Sequence, residues 1–573
     1  MSTQKPWLRY YEDHVPEHLN YPHLVMPELL ERAARERPES PAILFKGRRI
    51  TYRELNQSVD RFSAALQGLG VRPGDRVAVH LPNCPQFIIS YFAILRIGAI
   101  VVPCNPLYQF HEMKHQLCDS GAQVIVTLSA FYPLIRRVRP ETQLRHVIVA
   151  EIKTYFPPHL NLLFTLLLEK KKGHRVSISG ETATYWFRDL LARAGARPEP
   201  VVVQEADTAV LMYTGGTTGI SKGAQLTHRN ILANAFQCKT WLNAPDGKDI
   251  FLVQIPLFHA YGMTTSMNLP VLTMNTMLLV PDPRDLPDII HTIHKFRPTL
   301  YPGVPAMYNA INNYRDLEKY DLSSIRACIS GAAGLPVEVQ ERFQGITGAR
   351  LIEGYGLSEA SPVTHANPLF GDNRVGSIGL PWPDTEVKIV DVDTGLQTLG
   401  VGEVGELCLR GPQVMKGYWN MPTETANSLR TGPEGGEPWL HTGDIATMDE
   451  DGYFRIVDRK KDMILGAGGY NIYPREIEDS LYEHPKVLEA AAVGVPMGDK
   501  GERIKVFVVL KPGETAVEEE IIEFCRQNLA AYKVPRLVEF RESLPKSMVG
   551  KILRRELLSA AAEQEEPGEA VTA

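Results

Sequence analysis

The sequence lacks the features that hold small stapled folds or membrane spans together. Its seven cysteines, at 84, 104, 118, 238, 328, 408 and 525, are never closer than fourteen residues and form no CxxC pair, which argues against disulfide frameworks and metal clusters. No apolar run reaches the ~18 residues that a membrane helix needs. The N-terminus, MSTQKPWLRYYEDHVPEHLNYPH, has charges and prolines where a signal peptide needs an apolar core. A reducing, cytoplasmic location is expected. Long runs of one charge are missing too: 61 Lys+Arg stand against 67 Asp+Glu, a net charge of −6. A dedicated nucleic-acid binder carries a basic stripe, so any nucleotide bound here is expected to be a small one.

What is present is an ordinary globular composition, 573 residues with 44% apolar, enough for two to four domains of about 150 residues with a cleft between them. Residues 26 to 40 have helical spacing, and Lys46-Gly47 joins two short apolar runs in a hairpin pattern. GDRVAVHLPN, AIVVPCNPL, AQVIVTL and HVIVAEI are β-branched runs separated by helical stretches, the pattern of a parallel, doubly wound α/β layer. A second βα series runs from 208 to 370, and 375 to 457 is rich in strand-like runs and glycine turns. A compact α+β segment from Asp458 and an acidic, Ala-rich tail from 559 to 573, expected to be disordered, complete the chain.

Residues 151 to 181 break the rhythm. An apolar stretch, Leu160 to Leu168, precedes Lys170, Lys171 and Lys172. Two readings stay open: a surface helix packed on its domain or on a partner subunit, or an interfacial anchor whose apolar face enters lipid while the lysines meet anionic headgroups.

The most informative stretch is VLMYTGGTTGISKGAQLTHRN, residues 210 to 230. An apolar run leads into Thr214, Gly215, Gly216, Thr217, Thr218, Gly219, Ser221, Lys222 and Gly223. Small residues admit phosphates close to the backbone, consecutive N–H groups and four hydroxyls can surround oxyanions, and Lys222 adds a cation. Counted from Gly216, the Walker A template fails, with Ser221 where glycine belongs and Gly223 where Ser or Thr belongs. YTGGTTGISKG resembles instead the phosphate loop of the adenylate-forming superfamily: acyl-CoA synthetases, luciferases and adenylation domains.

The resemblance continues in order through most of the chain. SGAAGLP, with Gly331, Ala332 and Ala333, is similar to the adenine-side loop. EGYGLSEASP, with Glu353, Gly354, Tyr355, Gly356, Leu357 and Ser358, is similar to the central nucleotide motif, where Thr is commoner than Ser358. Tyr355 offers adenine a flat face and Ser358 a hydroxyl for phosphate. Glu359, which alone would read as a surface carboxylate, is a hard oxygen ligand and with Thr214 is implied to hold Mg²⁺. HTGDIATMDEDGYFRIVDRKKD resembles the ribose and hinge segment, implying nucleotide contacts from Asp444, Ile456, Arg459 and Lys461 and a hinge at Asp458. LPKSMVGKILRREL resembles the terminal motif, which makes Lys551 the implied catalytic lysine.

From the same likeness, IPLFHAYGMTTSMNLPVL supplies the acyl pocket, with His259 either catalytic or an ordinary core histidine, beside Phe258, Tyr261, Gly262, Met263 and Thr264. Small residues there, with Gly331 and Gly356, are expected to leave room for an apolar chain; Met263 stands where a bacterial long-chain relative has a gating tryptophan. Lys460, Gly468, Gly469 and Tyr470 are implied to flank the thiol tunnel, in a loop one glycine longer than the common form. The implied fold is a large N-terminal domain, 1–457, of doubly wound αβ subdomains plus a β-rich subdomain, with a small mobile α+β cap, 458–558.

The implied reaction joins a medium- to long-chain fatty acid to AMP, releasing pyrophosphate, then passes the acyl group to CoA; ATP, Mg²⁺ and CoA are required. An aryl or branched-chain acid is the alternative substrate, and a non-catalytic lipid-binding or transport protein the alternative class. No nucleic acid is implied. A homodimer is compatible with the sequence, as is a peripheral location at the inner membrane face.

Overall fold

The computed structural model describes residues 5–214, 221–432, 435–466, 470–496, 502–547, 551–554 and 556–558, without the side chains of 466, 470 and 471. The expected tail, 559–573, lies outside them. The first helix, Met26–Glu36, buries Met26, Leu29, Leu30 and Ala33. It is shorter than the sequence pattern predicts, because Pro38 disfavours helical geometry in the residue before it. Lys46 and Gly47 turn the following hairpin with φ of 51° and 90°, the left-handed geometry that a two-residue β-turn demands. Thr51 then caps helix Tyr52–Gly68: its hydroxyl accepts from the Glu54 N–H at 3.2 Å while the Glu54 carboxylate accepts from the Thr51 N–H at 2.7 Å.

The chain divides into two compact units, Met1–Val387 with Leu409–Leu440, and Lys388–Cys408 with His441–Ala573. The first unit holds two large sheets. In one, the strands run in the order Leu380–Pro381, Val363–Ala366, Arg350–Gly356, Ala327–Ser330, Leu300–Gly303, Ile250–Val253, Thr276–Leu279, Pro41–Phe45, Arg48–Thr51. Its interior pairs are parallel and its edges antiparallel.

The other sheet runs Gly417–Tyr418, Lys222–Thr227, Thr208–Thr214, Ile100–Pro103, Arg76–His80, Val124–Leu128, His146–Ala150, Thr184–Trp186, again parallel except at the Lys222 edge. The two series expected from the sequence are thus interleaved: Thr208–Thr214 and Lys222–Thr227 join the first series, and the N-terminal hairpin joins the second. Helix Pro85–Arg96, buried along its whole length, packs against helix Tyr52–Gly68.

In the second unit a five-stranded sheet, Tyr470–Ile472, Ile464–Gly466, Glu502–Leu510, Val487–Pro496 and, beside Glu502–Leu510, Leu537–Phe540, carries helices Pro474–Tyr482 and Glu518–Asn528 over a core of Ile477, Leu481, Val506, Val508 and Ile521. A further sheet is formed by Glu386–Val390, Gly405–Arg410, Trp439–Met448, Leu429–Arg430 and Phe454–Arg459. The division of the chain keeps 441–458 with the C-terminal residues, unlike the expected cut at 458. None of the seven cysteines is in a disulfide and six of them are buried, and no described helix is long and apolar enough to cross a membrane.

Candidate active site

In the first unit the candidate segments gather where parallel strands end. Gly331–Ala333 follow Ala327–Ser330, Glu353–Ser358 close Arg350–Gly356, and His259–Thr264 follow Ile250–Val253. Thr214 ends a strand parallel to Ile100–Pro103. Carboxyl ends of parallel strands are where open α/β sheets bind ligands, because the chain turns there expose loops and helix N-termini.

Thr214 pairs with Lys222 where strands Thr208–Thr214 and Lys222–Thr227 run antiparallel. Gly215, Gly216, Thr217, Thr218 and Gly219 lie outside the described residues. The Ser221 hydroxyl donates to the Thr214 carbonyl at 2.8 Å. Residues 219–223 also match the letters of the GxSxG nucleophile elbow, but an elbow needs a strand-to-helix turn. Here a strand follows, and the serine hydroxyl is tied to backbone.

Lys222 is 8% exposed. It forms an ion pair with Glu424 and lies 5.4 Å from the centre of the Tyr418 ring. The Tyr418 hydroxyl donates to Glu359 Oε1 at 2.8 Å. Burial, and then the Glu359 carboxylate, push the Tyr418 hydroxyl well above its ordinary pKa, so it stays a donor. Strand Gly417–Tyr418 makes this possible by pairing with Gln225 and Ala224, while the Met415 N–H donates to the Glu359 carbonyl at 2.7 Å. Neither Tyr418 nor Glu424 stands out in the sequence; each arrives through strand pairing.

On the adenine side, Ala332 has φ of 69°, which exposes it with Ala333 at a turn. Tyr355 stands edge-on to His365, ring centres 5.9 Å apart. Glu353 and Gly354 are buried, Gly356 is exposed, and Leu357, Ser358 and Glu359 are half-buried.

In the acyl segment, His259 caps a short helix, its Nδ1 accepting from the Tyr261 N–H at 3.3 Å. Phe258 and His259 are half-buried, and Tyr261, Gly262, Met263 and Thr264 are buried. The Tyr261 hydroxyl donates to the Ile329 carbonyl at 2.6 Å and Thr264 to the Ser361 carbonyl at 2.6 Å. The small residues do not leave the space expected of them. A Cβ on Gly262 would lie 2.3 Å from the Pro256 carbonyl oxygen, one on Gly356 2.3 Å from that of Pro362, and one on Gly331 3.2 Å from the Tyr261 ring. Gly262 and Gly356 permit close backbone approach, and Gly331 admits the Tyr261 ring.

In the second unit, Asp444 is buried and faces Arg459 across paired strands, Nε to Oδ1 2.9 Å. Ile456 pairs with Ala446 on the same ladder. Asp458 is buried; its two oxygens accept the N–H groups of Arg459 at 2.7 Å and Arg475 at 2.8 Å, the latter in the first turn of helix Pro474–Tyr482. Burial raises its carboxyl to about 6 against the pull of those bonds.

Lys460 Nζ donates to the Val392 carbonyl at 2.7 Å and approaches Glu406 at 3.4 Å, so its ammonium is engaged inside this unit; Lys461 is exposed. Burial alone would raise Glu406, yet His441, Lys460 and the Gly443 N–H together hold it below the usual carboxylate range, fixing the turn before Asp444. Lys551 is half-buried; burial first, then Arg459 and Lys461, lower its pKa to about 8. Arg554, three residues on, donates from one Nη to both Glu478 oxygens at 2.7 Å each and from the other Nη to Asp462 at 3.2 Å, which anchors the segment carrying Lys551. Gly468 and Gly469 lie outside the described residues, and only the backbone of Tyr470 is described, as a strand residue.

Comparison with known proteins agrees with these motifs. The AMP-binding enzyme family matches residues 30–419, and the AMP-binding enzyme C-terminal domain matches 476–551. A long-chain-fatty-acid–CoA ligase of Bacillus subtilis (strain 168) is 45% identical over 568 residues, 98% of this chain and 99% of the relative. One of Salmonella typhimurium is 43% identical over 571 residues, 97% and 98% of the two chains. Among solved structures, the anthranilate CoA ligase AuaEII in complex with anthranoyl-AMP superposes with a TM-score of 0.81 at 30% identity, over 95% of this chain and 98% of that one. Full-length likeness on this scale, in a chain whose strand ends carry the expected motifs, means that the protein belongs to the adenylate-forming superfamily of AMP-binding enzymes.

Proposed function

We propose that the protein is an AMP-forming fatty acid:CoA ligase acting on medium- to long-chain acids. The observation that carries this reading is near full-length likeness to two bacterial long-chain-fatty-acid–CoA ligases, at 45% and 43% identity, against 30% to the anthranilate ligase. The aryl or branched-acid reading therefore ranks second. A non-catalytic lipid binder has no need of Lys222, Glu359, Asp444 and Lys551 together.

A carboxylate attacking the α-phosphate of ATP is an encounter of like charges, so the site must neutralise both partners and hold them in line. Lys222 and the 214–223 loop take the pyrophosphate side. Glu353 to Ser358 and Gly331 to Ala333 frame the base, Asp444 accepts the ribose hydroxyls, and Ile456, Arg459 and Lys461 complete the nucleotide contacts. Lys551 meets the carboxylate and the α-phosphate. Thr214 and Glu359 would supply hard oxygens of the kind that suits Mg²⁺; one Glu359 oxygen is fixed by Tyr418, which orients the carboxylate. When bound, the ion neutralises phosphate charge.

The carboxylate oxygen bonds to the α-phosphorus as pyrophosphate leaves. The CoA sulfur then bonds to the acyl carbon as AMP leaves and the thiol proton passes to solvent. Between the two steps the chain turns about Asp458, the boundary of a mobile cap of residues 458–558; Lys460, Gly468, Gly469 and Tyr470 then line the thiol's path. Phe258, His259 and Tyr261 to Thr264 border the acyl chain. A cytoplasmic location at a bilayer surface, reached through 151–181, and pairing of two copies belong to the same reading.

AMP release with palmitate, octanoate, coumarate and no acid tests it. Palmitate and octanoate are expected to drive release; coumarate alone doing so would move the assignment to the aryl ligases, and acid-independent or absent release would end both. Asp458→Pro, which restricts φ, is expected to keep adenylation and lose thioester formation.

A further inference from the structure

Helix Pro158–Leu167 turns its apolar side outward. Leu162, Leu163, Leu166 and Leu167 are 62%, 50%, 72% and 63% exposed, and Leu168 beyond the helix is exposed as well. The i, i+1, i+4, i+5 spacing puts those four on one face. The orientation is fixed from below: Phe164 is buried with its ring against Phe156 and His174, centres 5.4 Å away in each case, and His174 is tied to Ser129 at 3.0 Å. Asn161 donates to the Lys153 carbonyl at 2.8 Å. The helix cannot roll its leucines inward without breaking these contacts. Contiguous exposed leucines of this kind mark a surface that binds something apolar.

The charges beside the face select the occupant. Lys170, Lys171, Lys172 and Arg175 come next in the chain, all exposed. The acid just before that run, Glu169, is half-buried and paired inward with Lys153 at 2.6 Å; Lys172 also lies within electrostatic reach of Asp282. A second copy of the chain would bring leucines with the same cations, whereas the surface of an anionic bilayer offers acyl chains below a layer of negative headgroups.

We infer that the Leu162–Leu163–Leu166–Leu167 face with Lys170–Lys172 docks the enzyme on anionic lipid. With no described helix able to span a bilayer, the contact is peripheral. Its use rests on the fatty-acid reading above, since long-chain acids partition into bilayers; the binding itself does not.

The test is co-sedimentation of the full chain with phosphatidylcholine vesicles, with and without phosphatidylglycerol. Wild type is expected to bind the phosphatidylglycerol vesicles. L162S/L163S/L166S/L167S is expected to lose at least about tenfold in binding, and K170Q/K171Q/K172Q roughly a hundredfold on phosphatidylglycerol vesicles alone. Both variants are expected to keep wild-type AMP release from soluble octanoate and to slow with oleate presented in vesicles. Equal vesicle binding by wild type and the leucine variant would overturn the inference. So would wild-type binding too weak to detect together with a dimer that the leucine variant alone loses, which would make this a self-association face. Should no acid yield AMP while vesicle binding depends on the leucines, the function falls and the docking surface stands.

Discussion

Lys222 and Lys551 are both withdrawn from solvent, yet their surroundings differ in sign. Around Lys222 in the first unit stand the Glu424 carboxylate, the face of the Tyr418 ring and, through the Tyr418 hydroxyl, Glu359. Around Lys551 in the second unit stand Arg459 and Lys461, offset by Asp444 and Asp462, and the outcome is an ammonium pulled down to about 8. The first lysine has its counter-charge supplied by the protein. The second is left short of one, so an incoming anion restores what burial removed, and the interaction grows as negative charge gathers on the phosphate. On the proposed reading, the first lysine serves binding and the second a step in which charge develops.

The largest test of this contrast is Lys551→Ala. Carboxylate-dependent ATP–pyrophosphate exchange is expected to fall roughly 10²–10³-fold, while thioester formation from a supplied acyl-adenylate stays largely intact. Unchanged exchange would remove Lys551 from the chemistry.

A lysine poised near 8 also dictates a pH limb. Lys551 is charged below that value and neutral above it, so exchange is expected to fall by about tenfold per pH unit above pH 8. The sign for stability is opposite: between about 8 and the ordinary lysine value of 10.5 the unfolded chain holds the proton and the native chain does not, so Lys551 favours the native state increasingly as pH rises through that window. Removing one neighbouring cation with Lys461→Gln is expected to move the kinetic limb upward. A limb that stays put would mean that burial and Arg459 set it without Lys461.

On the other side, Tyr418→Phe deletes the hydrogen bond to the Glu359 carboxylate, of a kind ordinarily worth about 1.5–3 kcal/mol. About tenfold loss of exchange through a raised KM for ATP is expected, alongside a lowered thermal stability. A change confined to stability would make Tyr418 a strap and not an organiser of Glu359.

How far these two lysines can be read from the sequence depends on the contacts that fix them. Lys551 and the phosphate loop sit in contiguous motifs, and the Lys46-Gly47 turn and the βα alternation are written in local residue order, so all are legible. Tyr418 and Glu424 are not. Glu424 lies 202 residues from Lys222 in the chain, and Tyr418 reaches the same lysine because a two-residue strand pairs with Ala224. Long-range pairing of that kind leaves no periodicity. The glycines mislead for a related reason: Gly262 and Gly356 look like vacated space in one dimension, whereas the carbonyls of Pro256 and Pro362 fill it in three. The two-sheet interleaving is hidden likewise, since strand order is decided by which edges meet.

Glu424→Gln carries the smallest effect and the finest discrimination. Phosphate oxygens that engage Lys222 must displace, or share it with, the Glu424 carboxylate, so neutralising Glu424 at constant shape strengthens the lysine's hold on them. Glu424 is 35% exposed on its side chain while Lys222 is 10%; water and salt screen the pair from the Glu424 side, which limits the gain to about two- to fivefold. The expectation is a lower KM for ATP and tighter inhibition by pyrophosphate, with both differences shrinking as ionic strength rises. Were the KM for ATP to rise instead, Glu424 would be holding Lys222 in its working position, and the counter-charge around Lys222 would be a scaffold for binding and not a competitor of it.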